Sequence, residues 1–144
     1  MDGITFRIAG PEDVELLLAI PGGLFDEAIT APLAAAFLAD PLHRLVLAFD
    51  GDLVVGKTSG SILLSPDKPP EFFVNEVDMR EAWQRRGVAK AMLALLIAEL
   101  RAESITDVWI GTEHDNQPAR ALYRSAGGRV KESVVVYAWE APGR

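Results

Sequence analysis

The stretch Glu76-Val77-Asp78-Met79-Arg80-Glu81-Ala82-Trp83-Gln84-Arg85-Arg86-Gly87-Val88-Ala89-Lys90 decides how this chain folds. A strand runs into a short basic turn with one glycine, and an apolar helix opens directly out of that turn. A helix start leaves its first N–H groups unpaired and carries partial positive charge, so it favours anions. The turn Gln84-Arg85-Arg86-Gly87-Val88-Ala89 adds two guanidinium groups and a glycine that lets a ligand approach the backbone. The junction is therefore a candidate phosphate site, the alternative being a basic turn that caps an ordinary helix. No Lys-Ser/Thr pair follows the glycine, which argues against a loop of the kind that holds a hydrolysed nucleotide.

Upstream, residues 5–8 alternate as a short strand, and Gly10-Pro11-Glu12-Asp13 starts a helix with proline first and acids in the first turn. Pro21-Gly22-Gly23 breaks it. A second helix over 32–39 follows Thr30 as a cap. The irregular linker between them holds Phe25, Asp26 and Glu27 and is a candidate substrate wall. Strands at 44–49 and 53–64 flank the turn Asp50-Gly51-Asp52, and Gly56 and Gly60 should weaken or bend the second of them. Residues 71–79 form the next strand.

Downstream, Val88, Met92, Leu95, Leu96 and Leu100 recur at three- and four-residue spacing, one face of a helix reaching about Glu103. A strand at 107–111 leads to Thr112-Glu113-His114-Asp115, and Asn116-Gln117-Pro118 opens a further helix that Gly127-Gly128 stops. Residues 130–139, with Val134-Val135-Val136, read as a last strand buried on both faces. Trp83, Trp109 and Trp139 are read as packing residues. The order β-α-α-β-β-β-α-β-α-β describes one α/β domain over residues 1–144, a mixed sheet of about six strands flanked by about four helices.

Composition narrows the chemistry. With 144 residues, 49% of them hydrophobic, the chain has the makings of one globular core. It has no cysteine and only His43 and His114, so thiolate chemistry and a multi-histidine metal site are excluded. A net charge of −7 argues against broad nucleic-acid binding and suits either a cationic small molecule or simple solubility. With no signal pattern and no apolar run long enough to span a bilayer, a cytoplasmic protein without a membrane partner is expected.

Two motifs resemble the GNAT superfamily of acyl-CoA-dependent N-acetyltransferases. The first is Gln84-Arg85-Arg86-Gly87-Val88-Ala89, a glutamine/arginine-x-x-Gly-x-Gly/Ala signature. The second is Asn116-Gln117-Pro118-Ala119-Arg120-Ala121-Leu122-Tyr123 followed by Gly127. With Val77-Asp78-Met79 they span roughly residues 75–128. Within the superfamily, Asn75-Glu76-Val77 and the run around Asn116 are similar to aminoglycoside 3-N-acetyltransferases.

The resemblance implies a GNAT-like sheet and acetyl-CoA as donor. It implies that Gln84, Arg85, Arg86, Gly87, Val88, Ala89 and Lys90 hold the pyrophosphate and that Val77 and Met79 offer backbone groups to pantetheine. Met79 N–H would polarise the thioester carbonyl. Asn116 and Ala119 fall in the second cofactor motif, Asn116 bonding pantetheine, capping its helix, or both. Tyr123 would protonate the departing thiolate, the alternative being a packing tyrosine. An alkylammonium must lose a proton before it attacks, and strand alternation puts Glu76 and Asp78 on one face unless a bulge intervenes. Glu76 is the expected base. Glu113 is the second choice, and Asp78, Asp26 and Glu27 would help bind a cationic acceptor. The alternative for these acids is cation binding or pairing with arginines.

The expected function is direct transfer of an acetyl group to a primary amine of a small cationic acceptor, possible members being aminoglycosides. A protein N-terminus or lysine is the alternative acceptor, and a non-catalytic acyl-CoA sensor is the alternative from another class. The Val-rich last strand is a candidate for pairing across a homodimer.

Overall fold

A computed structural model describes residues 3–143. The chain divides into two compact units, one ending at Gly111 and one beginning at Thr112. In the first unit, five strands lie in sequence order: β1 (Ile4–Ile8), β2 (His43–Asp50), β3 (Leu53–Leu63), β4 (Glu71–Met79) and β5 (Asp107–Ile110). The first four are antiparallel neighbours and β5 runs parallel to β4. Between them come the helices α1 (Val14–Leu18), α2 (Ala31–Ala39) and α3 (Val88–Ala102).

The two faces of the sheet are covered differently. Leu45, Leu47 and Val54 join Leu17, Leu24, Ala34 and Leu38 in one buried cluster, which seats α1 and α2 on that face. Helix α3 packs against β2, β3 and β4. Its buried residues Val88, Met92, Leu93, Leu96 and Leu100 form the stripe that spacing predicts, with Leu93 taking the place expected for Leu95. Each such side chain contributes about 1.5–3 kcal/mol on burial. Thr30 caps α2, its hydroxyl accepting from Leu33 N–H.

Gly56 and Gly60 do mark irregularities in β3, which stays continuous: the register with β2 shifts beside Gly56 and that with β4 shifts at Gly60. Both are also points of close approach. A Cβ at Gly56 would lie 2.3 Å from Met79 Sδ, and one at Gly60 would lie 2.2 Å from Phe73 O. Two expectations are corrected further along the chain. Residues 130–139 form no strand: among the described residues the sheet has five strands, and Val134, Val135 and Val136 are all exposed. Valine registers a fit to a pleated, half-covered surface, and a strand exists only when a neighbour supplies its hydrogen bonds. Trp139 is likewise exposed at 92% rather than packed.

Asp13 ties β1 to the turn before α1. Arg7 donates through Nε and Nη2 to its two oxygens at 3.1 and 2.7 Å, and Gly10 N–H donates to Oδ2 at 2.8 Å. The Arg7 hydrogen bond, reinforced by Gly10, holds the buried Asp13 carboxyl below its ordinary value although burial acts the other way. A depressed carboxylate contributes stability above its unfolded value and loses it as pH falls through its folded value. Asp13→Asn is therefore expected to cost about 1 kcal/mol near neutrality. The gap to wild type should close as urea titrations are carried below the ordinary aspartate range; a gap constant down to strong acid would refute the assignment.

Among the described residues no helix is long and apolar enough to cross a membrane.

Candidate active site

The turn before α3 is built from two left-handed residues. Arg85 has φ 63° and Gly87 φ 80°; for arginine that conformation costs roughly 1–2 kcal/mol. The first helical bond runs from Ala91 N–H to Gly87 O at 3.1 Å, so the N–H groups of Val88, Ala89 and Lys90 start the helix without partners in it. A Cβ added at Gly87 would meet nothing within 4 Å, which leaves the approach to these donors open. Arg85, Arg86 and Lys90 are exposed, and among the described residues none of their side chains forms an ion pair. Gln84 instead reaches across the turn, its Nε2 donating to Met79 O at 3.2 Å. The junction is a cationic cradle with unspent backbone donors, and its chemistry fits a pyrophosphate.

The end of β4 is open along one edge. It pairs with β5 only over Glu71–Val74, while Glu76, Val77, Asp78 and Met79 pair with β3 alone. Asn75 is the extra residue of a bulge, since Ser59 faces Glu76 and Gly60 faces Val74. Arg80 N–H donates to Val55 O at 2.8 Å, on the β3 side. N–H groups alternate between the edges of a strand, so those of Met79 and Val77 point to the edge where β5 has ended. That edge offers the donors a pantetheine arm or a thioester oxygen needs.

The bulge precedes the two acids and leaves Glu76 and Asp78 on one face. Opposite them in register stand Ser59 and Lys57. Lys57 is 1% exposed, and a buried ammonium is costly unless paired. Its Nζ lies 2.6 Å from Glu76 Oε2 and 3.2 Å from Asp78 Oδ2, with the Phe25 ring centred 4.2 Å away. Ser59 Oγ donates to Glu76 Oε1 at 3.0 Å. Both oxygens of Glu76 are thus engaged. Asp78 is the more open acid, its side chain 48% exposed against 32% for Glu76, and its Oδ1 makes no hydrogen bond or ion pair among the described residues.

Phe25 belongs to the segment between α1 and α2, which walls a cleft of about 400 Å³ together with Leu18, Ile20, Asp26, Glu27 and Ile29. This wall is tied to the end of β4 by Arg80. Its Nε donates to Val54 O at 2.8 Å, Nη1 to Gly22 O at 2.7 Å and Nη2 to Pro21 O at 2.7 Å.

Glu113, Asn116, Ala119 and Tyr123 lie in the second unit. Asn116 caps α4 (Gln117–Ser125), its side-chain oxygen accepting from Ala119 N–H at 3.1 Å. The helix ends on Gly127 at φ 96°, and Gly128 N–H returns to Tyr123 O at 2.9 Å. Arg120 bonds His114 O and pairs with Glu132, whose carboxyl it holds below the ordinary range.

Residues 14–127 match the acetyltransferase (GNAT) family. The chain belongs to that family. As a GNAT acetyltransferase it takes its acetyl group from acetyl-CoA. A search of curated proteins finds no match. Among solved structures, this GNAT acetyltransferase shares its fold with the aminoglycoside acetyltransferase meta-AAC0020 from an uncultured soil metagenomic sample, in complex with sisomicin. Their TM-score is 0.84 at 13% identity, over 97% of each chain. The aminoglycoside acetyltransferase HMB0005, also from an uncultured soil metagenomic sample, gives 0.83 at 20% identity, over 96% of this chain and 98% of that one. The aminoglycoside N-acetyltransferase AAC(6')-Iy in complex with CoA gives 0.75 at 16% identity, over 96% and 95%.

Three residues of the GNAT acetyltransferase's candidate site escape a reading of the sequence: Lys57, Ser59 and Arg80. Lys57 does leave a trace, as a lone charge inside the apolar run from Leu53. Arg80 reads as one more basic residue near the turn, and its role appears only when three distant carbonyls converge on it.

Proposed function

We infer that this GNAT acetyltransferase transfers acetyl from acetyl-CoA directly to a primary amine of a small cationic acceptor, of the aminoglycoside kind. The two units then act as one acetyltransferase domain, a reading supported by the family match running across their boundary. The observation that carries the acceptor class is Asp78. It is a half-exposed carboxylate with one oxygen uncommitted among the described residues, one residue from the Met79 N–H on the open edge of β4. The fold shared with aminoglycoside acetyltransferases agrees with it.

Each group of the site then has a task. Val88, Ala89 and Lys90 N–H, with Arg85 and Arg86, hold the pyrophosphate, and Gln84 braces the turn against Met79. Val77 backbone groups align pantetheine along the free edge. Asp78 binds the acceptor ammonium through Oδ1 and takes its proton, directly or through water. The neutral amine attacks the thioester carbonyl while Met79 N–H receives the charge developing on its oxygen. As the C–S bond breaks, the attacking nitrogen gives up its second proton to solvent, and Tyr123, on the strength of its motif, gives a proton to the departing sulfur and regains one from solvent. Glu76, with both oxygens occupied, anchors Lys57 and Ser59 instead of acting as the base. Asp26 and Glu27 meet the distal charges of the acceptor from the cleft wall.

A thiol-release assay with acetyl-CoA across aminoglycosides, polyamines, amino acids and peptides tests this. Turnover on small cationic amines, monoamines and polyamines alike, with little on peptides, is expected. Tight CoA binding without turnover on any amine would overturn it, and turnover on peptides alone would replace the acceptor class. Tyr123→Phe should lower kcat about tenfold or more while leaving the KM for acetyl-CoA within about twofold. An unchanged kcat removes Tyr123 from the mechanism.

A further inference from the structure

Lys57 is the unusual group of the first unit: an ammonium with almost no exposure, beside the acids meant for a cation. A protein selecting cations has no evident reason to bury a positive charge there. Its stem crosses the apolar interior of β3, whereas its head is enclosed by Glu76, Asp78 and the Phe25 ring. The ion pairs have two consequences. One ammonium against two carboxylates leaves a single negative charge, and one oxygen of each acid is held in place. What remains for an incoming amine is Oδ1 of Asp78.

We propose that Lys57 is a positioning residue that sets acceptor selectivity, cancelling one of the two carboxylate charges so that the site attracts one ammonium rather than several. This rests on the transfer to a cationic amine inferred above. The counter-charge lowers the advantage that polycations would otherwise have over monocations, because each additional ammonium near the site meets a net charge of one instead of two. Phe25 couples the same ammonium to the cleft wall, so the position of Lys57 also sets that of the wall.

The experiment compares kcat/KM for a monoamine and for a polyamine of similar length, in low and high salt. Lys57→Met keeps the buried stem and removes the charge. The polyamine-to-monoamine ratio is expected to rise roughly five- to tenfold at low salt, the rise shrinking at high salt, with the KM for acetyl-CoA within about twofold of wild type. Combining Lys57→Met with Glu76→Gln restores a net charge of one and should return the ratio to within about twofold of wild type. Glu76→Gln alone leaves the cluster neutral and should lower the ratio, which provides a reading even if Lys57→Met does not fold.

An unchanged ratio in Lys57→Met, or the same shift in the single and double variants, would show that Lys57 serves packing and overturn the proposal. So would a ratio in Glu76→Gln that does not fall. A wild-type enzyme that acetylates neither amine would instead sink the functional reading, and this inference with it.

Discussion

Gly60→Ala is expected to lower stability by about 3 kcal/mol. For a chain of this length that moves the thermal midpoint down by about 10 °C. The added Cβ would lie 2.2 Å from Phe73 O and 2.5 Å from the Phe72 ring, both on β4. A side chain can rotate away from such a contact, but a strand carbonyl cannot without giving up its ladder. The strain therefore passes into β4 beside the Asn75 bulge, which immediately precedes Glu76 and the open edge. Gly56→Ala is the internal control. Its Cβ would meet the end of the Met79 side chain, which has other rotamers, so the cost should stay near 1 kcal/mol. Melts followed by circular dichroism decide the matter. A Gly60→Ala midpoint within two degrees or so of wild type would show that β4 yields cheaply and that the bulge is not held by this contact.

The second large effect is on the acceptor. Arg80→Met should raise the acceptor KM about tenfold or more while the KM for acetyl-CoA stays within about twofold. The guanidinium supplies three donors in a planar fork to Val54, Gly22 and Pro21. Methionine fills the volume of the stem and supplies none. Three carbonyls lose a charged donor, each hydrogen bond contributing on the order of 1 kcal/mol after the partial exposure of the site is allowed for. The wall that carries Phe25, Asp26 and Glu27 is then no longer pinned to the end of β4. Arg80→Lys should not rescue it, because one ammonium cannot reproduce the fork. Steady-state kinetics with each substrate varied in turn measure the split, and faster proteolytic cleavage within residues 20–29 should accompany it. An acceptor KM that does not move would mean that the wall takes no part in binding.

These two residues mark where reading the sequence stops. Gly60 reads as a defect in a strand, since a glycine amid Val and Leu lowers strand propensity. Only the register with β4 shows that any larger residue would strike a backbone carbonyl. Arg80 joins groups up to 59 positions apart, a relation that no local pattern encodes. The opposite error occurs at residues 130–139. Their propensity for β structure is high, yet propensity does not supply a partner, and the valines stand exposed. The caps, by contrast, are legible from sequence. Thr30 and Asn116 precede prolines in the first turn, and each side chain accepts an N–H three residues on.

Local chemistry alone determined the anion cradle before α3, the proposed donor side of the site. A strand ending in a basic turn, a left-handed glycine and an apolar helix make an anion cradle from neighbouring residues, because unpaired N–H groups at a helix start follow from chain geometry. The order of the two motifs made the family legible as well. Only the tertiary structure decided the surroundings of the two β4 acids, the proposed acceptor side. Two acids two residues apart on a strand could both have faced a ligand, but the pairing of β3 with β4 sets the buried Lys57 ammonium against them and closes both oxygens of Glu76. The energy of a charge depends on what surrounds it, and those surroundings come from residues distant in sequence.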